Sequence, residues 1–433
     1  MTSIVVRRSR LNGTVRCPSS KSYSHRAIAI ASLADQPSTI THILMARDTL
    51  ATLAGCGALG ADIKYGATKM RIKGSDCFNP PENVINAENS GTTIRILTAM
   101  SGLVRTGYTV LTGDESLRSR PMQPLLDALR QLGVEAYSTK ENGRPPIIVK
   151  GGGIKGGTTV VDGSISSQFI SGLLIASIYA DSEIVIKVRG KLVSKPYVRA
   201  TLATMKHFGV SIDHSPDMLE YYIKNARYRG TRFDVPSDFS TTALILAAGA
   251  LAGEKLRVNG LNFEMPQGDS RIIDILKKMG CGIKVDEEKG EVAINGADRL
   301  EGGDFNLADT PDLLPIVSIL ALKATNPVTI TGVAHARVKE TDRVSNIAVE
   351  LLKFGAHINE FRDGLKITAP LVIKNASLEA HNDHRLFMAF TIASMMTEKS
   401  IVAGAQSVDV SYPNFISDMK NIGGRISPAP DRE

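Results

Sequence analysis

An internal repeat with a period of about 72 residues, present six times in 433 residues, constrains this chain most. Each copy has an apolar helical stretch that ends at a glycine and leads into strand-like residues. The glycines lie 68 to 76 residues apart and are Gly60, Gly133, Gly209, Gly280, Gly355 and Gly423. Apolar residues recur at i, i+3 and i+4 before each of them, which predicts six amphipathic helices with a glycine C-cap.

A second pattern lies about midway between these glycines, where a polar cluster opens an apolar, alanine-rich helix. The clusters begin at Pro18, Asn89, Ser164, Pro236, Asp309 and Asn382. Each contains Ser, Thr, Asn or Asp, the side chains that cap helix N-termini. The helix bodies are apolar nearly all round, so we predict six buried helices.

Strand signals complete the repeat. Two strand-like runs follow each of the first five glycines, whereas the sixth copy ends without them. The segment SIVVRRSRLNGTVRC predicts an N-terminal hairpin with its turn at Asn12-Gly13, which we expect to complete the last copy. We therefore predict an α/β fold, a two-domain inside-out α/β barrel of six βαβαββ units. Domain I would hold residues 1–17 and 236–433, domain II residues 18–235, with three units each.

Composition indicates the cellular compartment in which the chain acts. Four cysteines, Cys17, Cys56, Cys77 and Cys281, have no CxxC spacing, which argues against a disulfide framework or a zinc site and favours a reducing compartment. No apolar run approaches the roughly 20 residues of a membrane span, and the N-terminus has no signal-peptide pattern. We expect a cytoplasmic protein that makes no membrane contact and is a monomer.

The polar clusters carry more charge than capping requires. The added charged residues, including those of two neighbouring loops, are Lys21, Arg26, Arg95, Arg118, Arg120, Asp312, Lys339, Glu340, Arg343, Asp383 and Arg385. Helix N-termini attract anions, and arginine binds carboxylate and phosphate bidentately. Asp312 and Glu340 could serve as general acid and base. The pattern predicts group transfer between small anions in an interdomain cleft, without metal or cofactor.

Nucleic-acid binding is the alternative that the net charge of +7 raises. That function predicts steep salt dependence and basic stripes with stacking aromatic side chains. The chain has no tryptophan, and the cations of the polar clusters stand beside Ser, Gln and Asp. We therefore expect small-molecule substrates and no nucleic-acid partner.

Seven motifs span essentially the whole chain, and they are PSSKSYSHRA (18–27), NSGTTIR (89–95), RPMQPLLDAL (120–129), SISSQF (164–169), SKPY (194–197), RVKETDR (337–343) and NDHR (382–385). Together they resemble the 5-enolpyruvylshikimate-3-phosphate (EPSP) synthase family, the 3-phosphoshikimate 1-carboxyvinyltransferases. The resemblance implies an enolpyruvyl transferase-like fold. It also implies addition–elimination, in which the 5-hydroxyl of shikimate 3-phosphate attacks phosphoenolpyruvate and phosphate leaves, a step toward chorismate and the aromatic amino acids.

The resemblance also implies roles for individual residues. The catalytic residues would be Lys21, Asp312 and Glu340. Shikimate 3-phosphate would contact Lys21, Ser22, Arg26, Ser166, Ser167, Gln168, Ser194, Tyr197, Asp312, His335 and Lys339. Phosphoenolpyruvate would contact Lys21, Gly91, Arg120, Gln168, Arg343 and Arg385. Asn89 and Arg95 would support these residues, and Gly91 implies sensitivity to glyphosate.

Two departures and one rival accompany the resemblance. Many bacterial members have a lysine where this chain reads Val410-Ser411-Tyr412-Pro413, and some have asparagine at the position of His335. The rival is the enolpyruvyl transferase that acts on UDP-N-acetylglucosamine. It has Lys-Asn where this chain has Lys21-Ser22, and usually a loop cysteine, which Asp114–Pro121 lacks.

Overall fold

The computed structural model describes residues 2–66, 69–75 and 78–430. The chain forms two compact units, of which one is Met1–Pro18 with Ser237–Glu433 and the other is Ser19–Pro236. We name them the discontinuous unit and the continuous unit. The sequence analysis set each boundary one residue earlier. Cys17, Cys56 and Cys281 are free thiols, and Cys77 lies outside the described residues.

Short strands account for much of the described chain and are numbered in chain order. The first twelve are β1 (Ser3–Arg7), β2 (Leu11–Arg16), β3 (Ser38–Thr41), β4 (Asp62–Tyr65), β5 (Lys69–Lys73), β6 (Ile85–Asn86), β7 (Tyr108–Thr112), β8 (Ala136–Ser138), β9 (Ile147–Lys150), β10 (Gly157–Asp162), β11 (Ile184–Arg189) and β12 (Asp213–His214). The others are β13 (Glu220–Ile223), β14 (Arg232–Asp234), β15 (Gly253–Asn259), β16 (Ile283–Asp286), β17 (Glu291–Asn295), β18 (Gly303–Asn306), β19 (Val328–Thr331), β20 (His357–Phe361), β21 (Gly364–Thr368), β22 (Ser377–Glu379), β23 (Ser400–Ala403) and β24 (Arg425–Pro428).

The helices fall into an inner set, an outer set and one short helix. The inner helices are α1 (Lys21–Ala31), α3 (Gly91–Ser101), α6 (Ser167–Ser177), α8 (Phe239–Ala252), α10 (Leu314–Leu320) and α12 (His384–Ser394). The outer helices are α2 (Arg47–Ala58), α5 (Gln123–Gln131), α7 (Lys195–His207), α9 (Ile272–Lys278), α11 (Arg343–Lys353) and α13 (Phe415–Asn421), and α4 (Glu115–Ser119) is the short one. None of the helices in the described residues is long and apolar enough to cross a membrane.

All six sheets share one topology, a parallel pair followed by two antiparallel pairs. In the continuous unit the strand orders are β14-β3-β5-β4, β6-β7-β9-β8 and β10-β11-β13-β12. In the discontinuous unit they are β2-β15-β17-β16, β18-β19-β21-β20 and β22-β23-β1-β24. Each sheet with one inner and one outer helix is a βαβαββ unit, so the six predicted units occur, three in each part of the chain.

The predicted N-terminal hairpin is wrong. β1 lies between β23 and β24, with Val5 opposite Ile401 and Ser427, and so completes the sixth sheet. β2 runs parallel to β15 in the fourth sheet, and Asn12-Gly13 lies inside this strand instead of in a turn. Turn-forming residues signalled a local partner, but both strands find their partners more than 200 residues away.

The inner helices form the core, as their composition predicted. α8 is buried from Phe239 to Leu251, since a helix that is apolar all round must be covered on every side. All six repeat glycines have φ between 83° and 109°, the left-handed conformation expected after a helix C-terminus.

Side chains cap five of the six inner helices. The caps are Ser20, Ser90, Ser166, Asp238 and Asp383. The expectation of a side-chain cap is wrong for α10, which follows a 3₁₀ turn at Pro311–Leu313 and has none. The carboxylate in that turn belongs to Asp312, and it binds arginines instead of backbone amides.

Candidate active site

The candidate residues form two groups, one in each unit, and each group is described by itself. In the discontinuous unit, Arg343 at the start of α11 is the centre of a buried ion-pair network, with its side chain only 1% exposed. Its Nη1 lies 2.8 Å from Asp312 Oδ1 and its Nη2 lies 2.7 Å from Glu340 Oε2. Its Nε lies 2.7 Å from Asp383 Oδ2. One guanidinium thus holds three carboxylates.

A tight turn before α12 brings two more groups into this network. His381 and Asn382 have φ of 50° and 57°, and Asp383 then accepts hydrogen bonds from the backbone N–H groups of Arg385 and Leu386. One carboxylate therefore both caps the helix and binds Arg343. Arg385 extends from the first turn of α12, and its Nη2 lies 2.9 Å from Asp312 Oδ2.

The electrostatics of the network favour its ionised form. Burial on its own would raise the pKa of Asp312. The charges of Arg385, Lys339 and Arg343 outweigh burial and hold that pKa far below its usual range. Burial would lower the pKa of Arg343, but the surrounding carboxylates raise it well above its usual value. Asp312 is therefore a carboxylate whose basicity its cationic neighbours suppress.

A fourth acid lies beside this network, and the sequence analysis did not identify it. Asp269 is in a 3₁₀ turn, Gly268–Arg271, and is 3% exposed. Burial and the charge of Asp312 raise its pKa to about 7, although Arg385 and a hydrogen bond from Ser240 oppose the shift. The Ser240 hydroxyl donates to Oδ2 of Asp269. The Pro236 cluster, which contains Ser240, supplied none of the charged residues that the sequence analysis selected.

The loop before α11 places the other two predicted residues of this unit. His335 is buried in a 3₁₀ turn, Ala334–Val338. Lys339 is half-buried, and its charge acts on Asp312. Arg337 in the same loop lies 2.9 Å from Asp342 and 2.8 Å from Glu360, so it fixes the loop instead of extending toward Asp312.

In the continuous unit, Lys21 is the first residue of α1 and follows the cap Ser20. Its Nζ lies 3.1 Å from Oδ2 of Asp48, a residue that the sequence analysis also missed. Asp48 is in the first turn of α2, and its side chain is 6% exposed. The pair holds the Lys21 ammonium at the N-terminus of α1, where the helix dipole favours an anion nearby.

Arg26 is one turn further along α1 and is 1% exposed. Its Nη1 and Nη2 each lie 2.9 Å from a backbone oxygen, those of Ser22 and Tyr197, and its Nε donates to Thr201 Oγ1 at 2.8 Å. Burial lowers the pKa of Arg26 to about 10, which leaves it charged at neutral pH. It therefore joins α1 to α7 and fixes the backbone at Ser22, while the Ser22 side chain remains half-buried.

Two further guanidinium groups converge on Gly91, the first residue of α3. A Cβ at this position would lie 3.1 Å from Arg95 Nη1 and 3.2 Å from Arg120 Nη1. Arg95 donates to the side-chain oxygen of Gln168 at 2.5 Å, and Arg120 to that of Asn89 at 2.6 Å. The absence of a side chain at Gly91 thus keeps the face of both arginines open.

The predicted phosphate-binding serines lie at the starts of two helices. The Ser166 hydroxyl caps α6 by accepting from the Gln168 N–H at 3.3 Å, and Ser167 is buried beside it. Ser194 precedes α7 with φ of 56° and is also buried, and Tyr197 is half-buried in the first turn. Hydroxyl and backbone donors at a helix N-terminus suit a phosphate group.

Metal binding has little structural basis in these groups. Within residues 2–66, 69–75 and 78–430, no three His, Cys, Asp or Glu side chains are arranged to hold a metal ion. The acids of the discontinuous unit instead bind arginine side chains. The arginines can bind a substrate anion, and the acids can transfer protons.

Comparison with known proteins supplies the family. A family model described as EPSP synthase (3-phosphoshikimate 1-carboxyvinyltransferase) matches residues 5–419. The chain is 44% identical to the 3-phosphoshikimate 1-carboxyvinyltransferase of Nitrosopumilus maritimus, over 98% of this chain and 99% of that protein. It is 42% identical to the enzyme of that name from Methanocaldococcus jannaschii, over 98% of each chain. The chain belongs to the EPSP synthase family.

Solved structures agree with this assignment. The EPSP synthase of Acinetobacter baumannii has a TM-score of 0.82 and 26% identity, covering 99% of this chain and 100% of that one. The enolpyruvyl transferase NikO from Streptomyces tendae has a TM-score of 0.78 at 18% identity, covers 99% of each chain, and supports the fold alone. The predicted family, the fold class and the assignment as a transferase are confirmed. The names of the relatives do not favour the UDP-N-acetylglucosamine alternative.

Asp48 and Asp269, the two acids that the sequence analysis missed, occupy equivalent positions in the repeat of this EPSP synthase family member. Asp48 is in the first turn of α2, and Asp269 is in the 3₁₀ turn that leads into α9. These are the starts of outer helices, like Arg343 at α11 and Ser194 at α7. The start of an outer helix is the one sequence signal that the two acids share with the predicted residues, and neither acid stands in one of the seven motifs.

Proposed function

We propose that this chain transfers the enolpyruvyl group of phosphoenolpyruvate to the 5-hydroxyl of shikimate 3-phosphate and releases phosphate. Membership of the EPSP synthase family supports the proposal, as do the names of the relatives. The observation that carries it is the arrangement of Asp312 and Glu340 on one buried arginine, Arg343. Two carboxylates held on one guanidinium suit a reaction that both removes and adds a proton.

The addition step needs a base and an acid together. The 5-oxygen forms a bond to C2 of phosphoenolpyruvate and gives its proton to Asp312, while C3 receives a proton from Glu340 or Lys21. In the elimination step C3 returns its proton to the residue that supplied it, the double bond re-forms, the bond from C2 to the phosphate oxygen breaks, and the departing phosphate takes the proton from Asp312. The atoms balance without a cofactor.

Phosphoenolpyruvate binding itself would activate Asp312. We place the substrate's anionic groups on Arg343 and Arg385, with Lys21, Gly91, Arg120 and Gln168 as the contacts from the continuous unit. In the free enzyme both arginines bind Asp312 and depress its pKa. A substrate anion that shares these guanidinium groups weakens their hold on Asp312, so the pKa of Asp312 rises and the carboxylate becomes a better base.

Shikimate 3-phosphate would be bound mainly by the continuous unit. Its phosphate fits the serine hydroxyls at the starts of α6 and α7, with the half-buried Gln168 and Tyr197 alongside. The ring and its carboxylate would contact Lys21, Ser22 and Arg26. The residues that this substrate would contact in the discontinuous unit are Asp312, His335 and Lys339. The proposal therefore requires both groups to act on the same pair of substrates.

Four further properties belong to the same proposal. The chain would act in the cytoplasm, as a monomer, without a nucleic-acid partner, and would be inhibited by glyphosate. Gly91 supports the last of these, because a side chain there would crowd Arg95 and Arg120. An inhibition constant far above the KM for phosphoenolpyruvate would remove glyphosate sensitivity from the proposal.

The deciding experiment supplies phosphoenolpyruvate with either acceptor. Purified protein is assayed for phosphate release with shikimate 3-phosphate and, separately, with UDP-N-acetylglucosamine, and the products are identified by mass spectrometry. We expect phosphate release and an enolpyruvyl ether only with shikimate 3-phosphate. Turnover with the UDP-sugar alone would overturn the proposal.

A further inference from the structure

The carboxyl of Asp269 is built into the discontinuous unit in an unusual way. Only 3% of the residue is exposed, and Ser240 donates a hydrogen bond to its Oδ2. Its Oδ1 is also buried and accepts no hydrogen bond from the described residues. An acid that only had to stabilise the fold would be expected to have both oxygens paired, because an unpaired buried oxygen costs stability.

The groups that act on Asp269 come from three other elements of the discontinuous unit. The N-cap Asp238 and Ser240 come from α8, Asp312 from the turn before α10, and Arg385 from α12, and all four act on the Asp269 carboxyl. On the adjacent α9, Asp274 and the two lysines of the last turn, Lys277 and Lys278, are exposed. Arg271 of the same 3₁₀ turn is exposed and donates to the backbone oxygen of Asn306.

The cations and carboxylates of the Arg343 network are already equal in number without Asp269. Arg343, Arg385 and Lys339 act on Asp312, and Arg343 also binds Glu340 and Asp383. These residues are three cations and three carboxylates. An ionised Asp269 would add a buried negative charge beside Arg385, the group on which we place an anionic substrate.

We propose that Asp269 is a positioning residue whose neutral form keeps Arg385 available to phosphoenolpyruvate. The ionised form attracts the Arg385 guanidinium and repels the incoming anion. The inference rests on the proposed placement of phosphoenolpyruvate on Arg385. It assigns no contact between Asp269 and the reacting atoms.

The proton on Asp269 and phosphoenolpyruvate then favour each other's binding, and this coupling is reciprocal. Burial places the pKa of Asp269 near neutrality, so the carboxyl is neutral in mildly acidic solution and ionised in mildly alkaline solution. As the pH rises through this range the neutral form is lost, and the KM for phosphoenolpyruvate should rise. Since Asp269 acts on binding and not on proton transfer, kcat should change less.

The test measures kcat and KM for phosphoenolpyruvate from pH 6 to 8.5 in the wild type and in Asp269→Asn, which is neutral throughout. In the wild type we expect KM to rise by about fivefold or more, the usual lower size of such a coupling. In Asp269→Asn we expect that rise to disappear, with KM staying near the wild-type value at pH 6. Asp274→Asn removes an exposed carboxylate nearby and should follow the wild-type profile.

A second variant keeps the test decisive if Asp269→Asn does not fold. The hydrogen bond from Ser240 lowers the pKa of Asp269, so Ser240→Ala should raise that pKa and shift the rise in KM to higher pH. Wild-type pH profiles in the folded variants would overturn the inference and leave the proposed reaction intact. An unchanged KM in Arg385→Ala would instead overturn the placement of phosphoenolpyruvate.

Discussion

The two groups of candidate residues use arginine in opposite ways. In the discontinuous unit, Arg343 and Arg385 bind carboxylates at 2.7 to 2.9 Å. In the continuous unit, Arg26, Arg95 and Arg120 donate to the neutral oxygens of hydroxyl, amide and backbone groups. A neutral oxygen orients a guanidinium without cancelling its charge, whereas a carboxylate does both.

This difference separates two tasks of the proposed reaction. The arginines of the continuous unit keep their positive charge for phosphate and carboxylate groups that remain anions throughout. The discontinuous unit holds acids whose protonation can change during turnover, and it stores them as ion pairs until a substrate anion shares the arginines. Variants of the acids in the discontinuous unit should therefore lower kcat, whereas variants near the arginines of the continuous unit should raise KM.

The largest effect is expected in the acids of the discontinuous unit. Asp312→Asn and Glu340→Gln keep the shape of each side chain but remove its ability to exchange a proton. Each should lower kcat by about 10²–10⁴-fold, the usual range for general acid–base residues. Phosphate release at saturating concentrations of both substrates measures the loss.

Asp304→Asn is the matched control, because Asp304 is an exposed aspartate of β18 in the same unit. Its kcat should stay within twofold of the wild type. Losses below tenfold in both Asp312→Asn and Glu340→Gln would contradict the division of tasks between the units.

An intermediate effect is expected at Gly91 in the continuous unit. A Cβ there would come within 3.2 Å of two guanidinium nitrogens and would crowd an anion bound between them. Gly91→Ala should raise the KM for phosphoenolpyruvate by about tenfold or more, equivalent to 1.4 kcal/mol of binding. Initial rates at varied phosphoenolpyruvate measure the change, and the KM for shikimate 3-phosphate should change less.

Gly57→Ala gives the comparison within the same unit. A Cβ at Gly57 in α2 would meet nothing within 4 Å. This variant should keep both KM values, and alanine should stabilise the helix slightly. Equal KM values for Gly91→Ala and the wild type would mean that phosphoenolpyruvate binds elsewhere.

The smallest effect concerns stability. Because burial raises the pKa of Asp269 to about 7, the folded chain holds this proton between about pH 4 and 7, where the unfolded chain releases it. The stabilisation from Asp269 is therefore complete in acid and is lost as the pH rises to 7. The Tm of Asp269→Asn minus that of the wild type should therefore be larger at pH 8 than at pH 5, by at least about 2 °C. Calorimetry at both pH values measures the two Tm values, with Asp274→Asn as control. The same change in Tm from pH 5 to pH 8 in Asp269→Asn and in the wild type would contradict a buried neutral acid.

Much of the fold could be predicted because the same local sequence pattern occurs six times in the chain. The inner helices, the outer helices with their left-handed glycines and the five hairpins all follow from local periodicity. Strand partners do not. Asn12-Gly13 has the signature of a tight turn, yet hydrogen bonds from β15 hold it in a strand. Whether a strand pairs with a near or a distant strand depends on tertiary packing, which a short stretch of sequence does not reveal.

The candidate site divides in the same way. Residues in dense motifs, such as Lys21 or Arg385, stand out because several charged side chains cluster at a helix start. Asp269 carries no such signal, since its surroundings are assembled from Ser240, Asp312 and Arg385, which are distant in sequence. The ion pair of Lys21 with Asp48 is equally invisible, because it joins α1 to α2.

The position of β1 has a consequence for how the protein is made. β1 is an inner strand of its sheet, and both of its neighbours, β23 (Ser400–Ala403) and β24 (Arg425–Pro428), are synthesised long after it. The continuous unit has all of its residues once Pro236 has left the ribosome. β1 must instead remain unpaired in that sheet until β23 and β24 have been synthesised. A nascent chain should thus gain protease resistance first in its middle and last at its beginning.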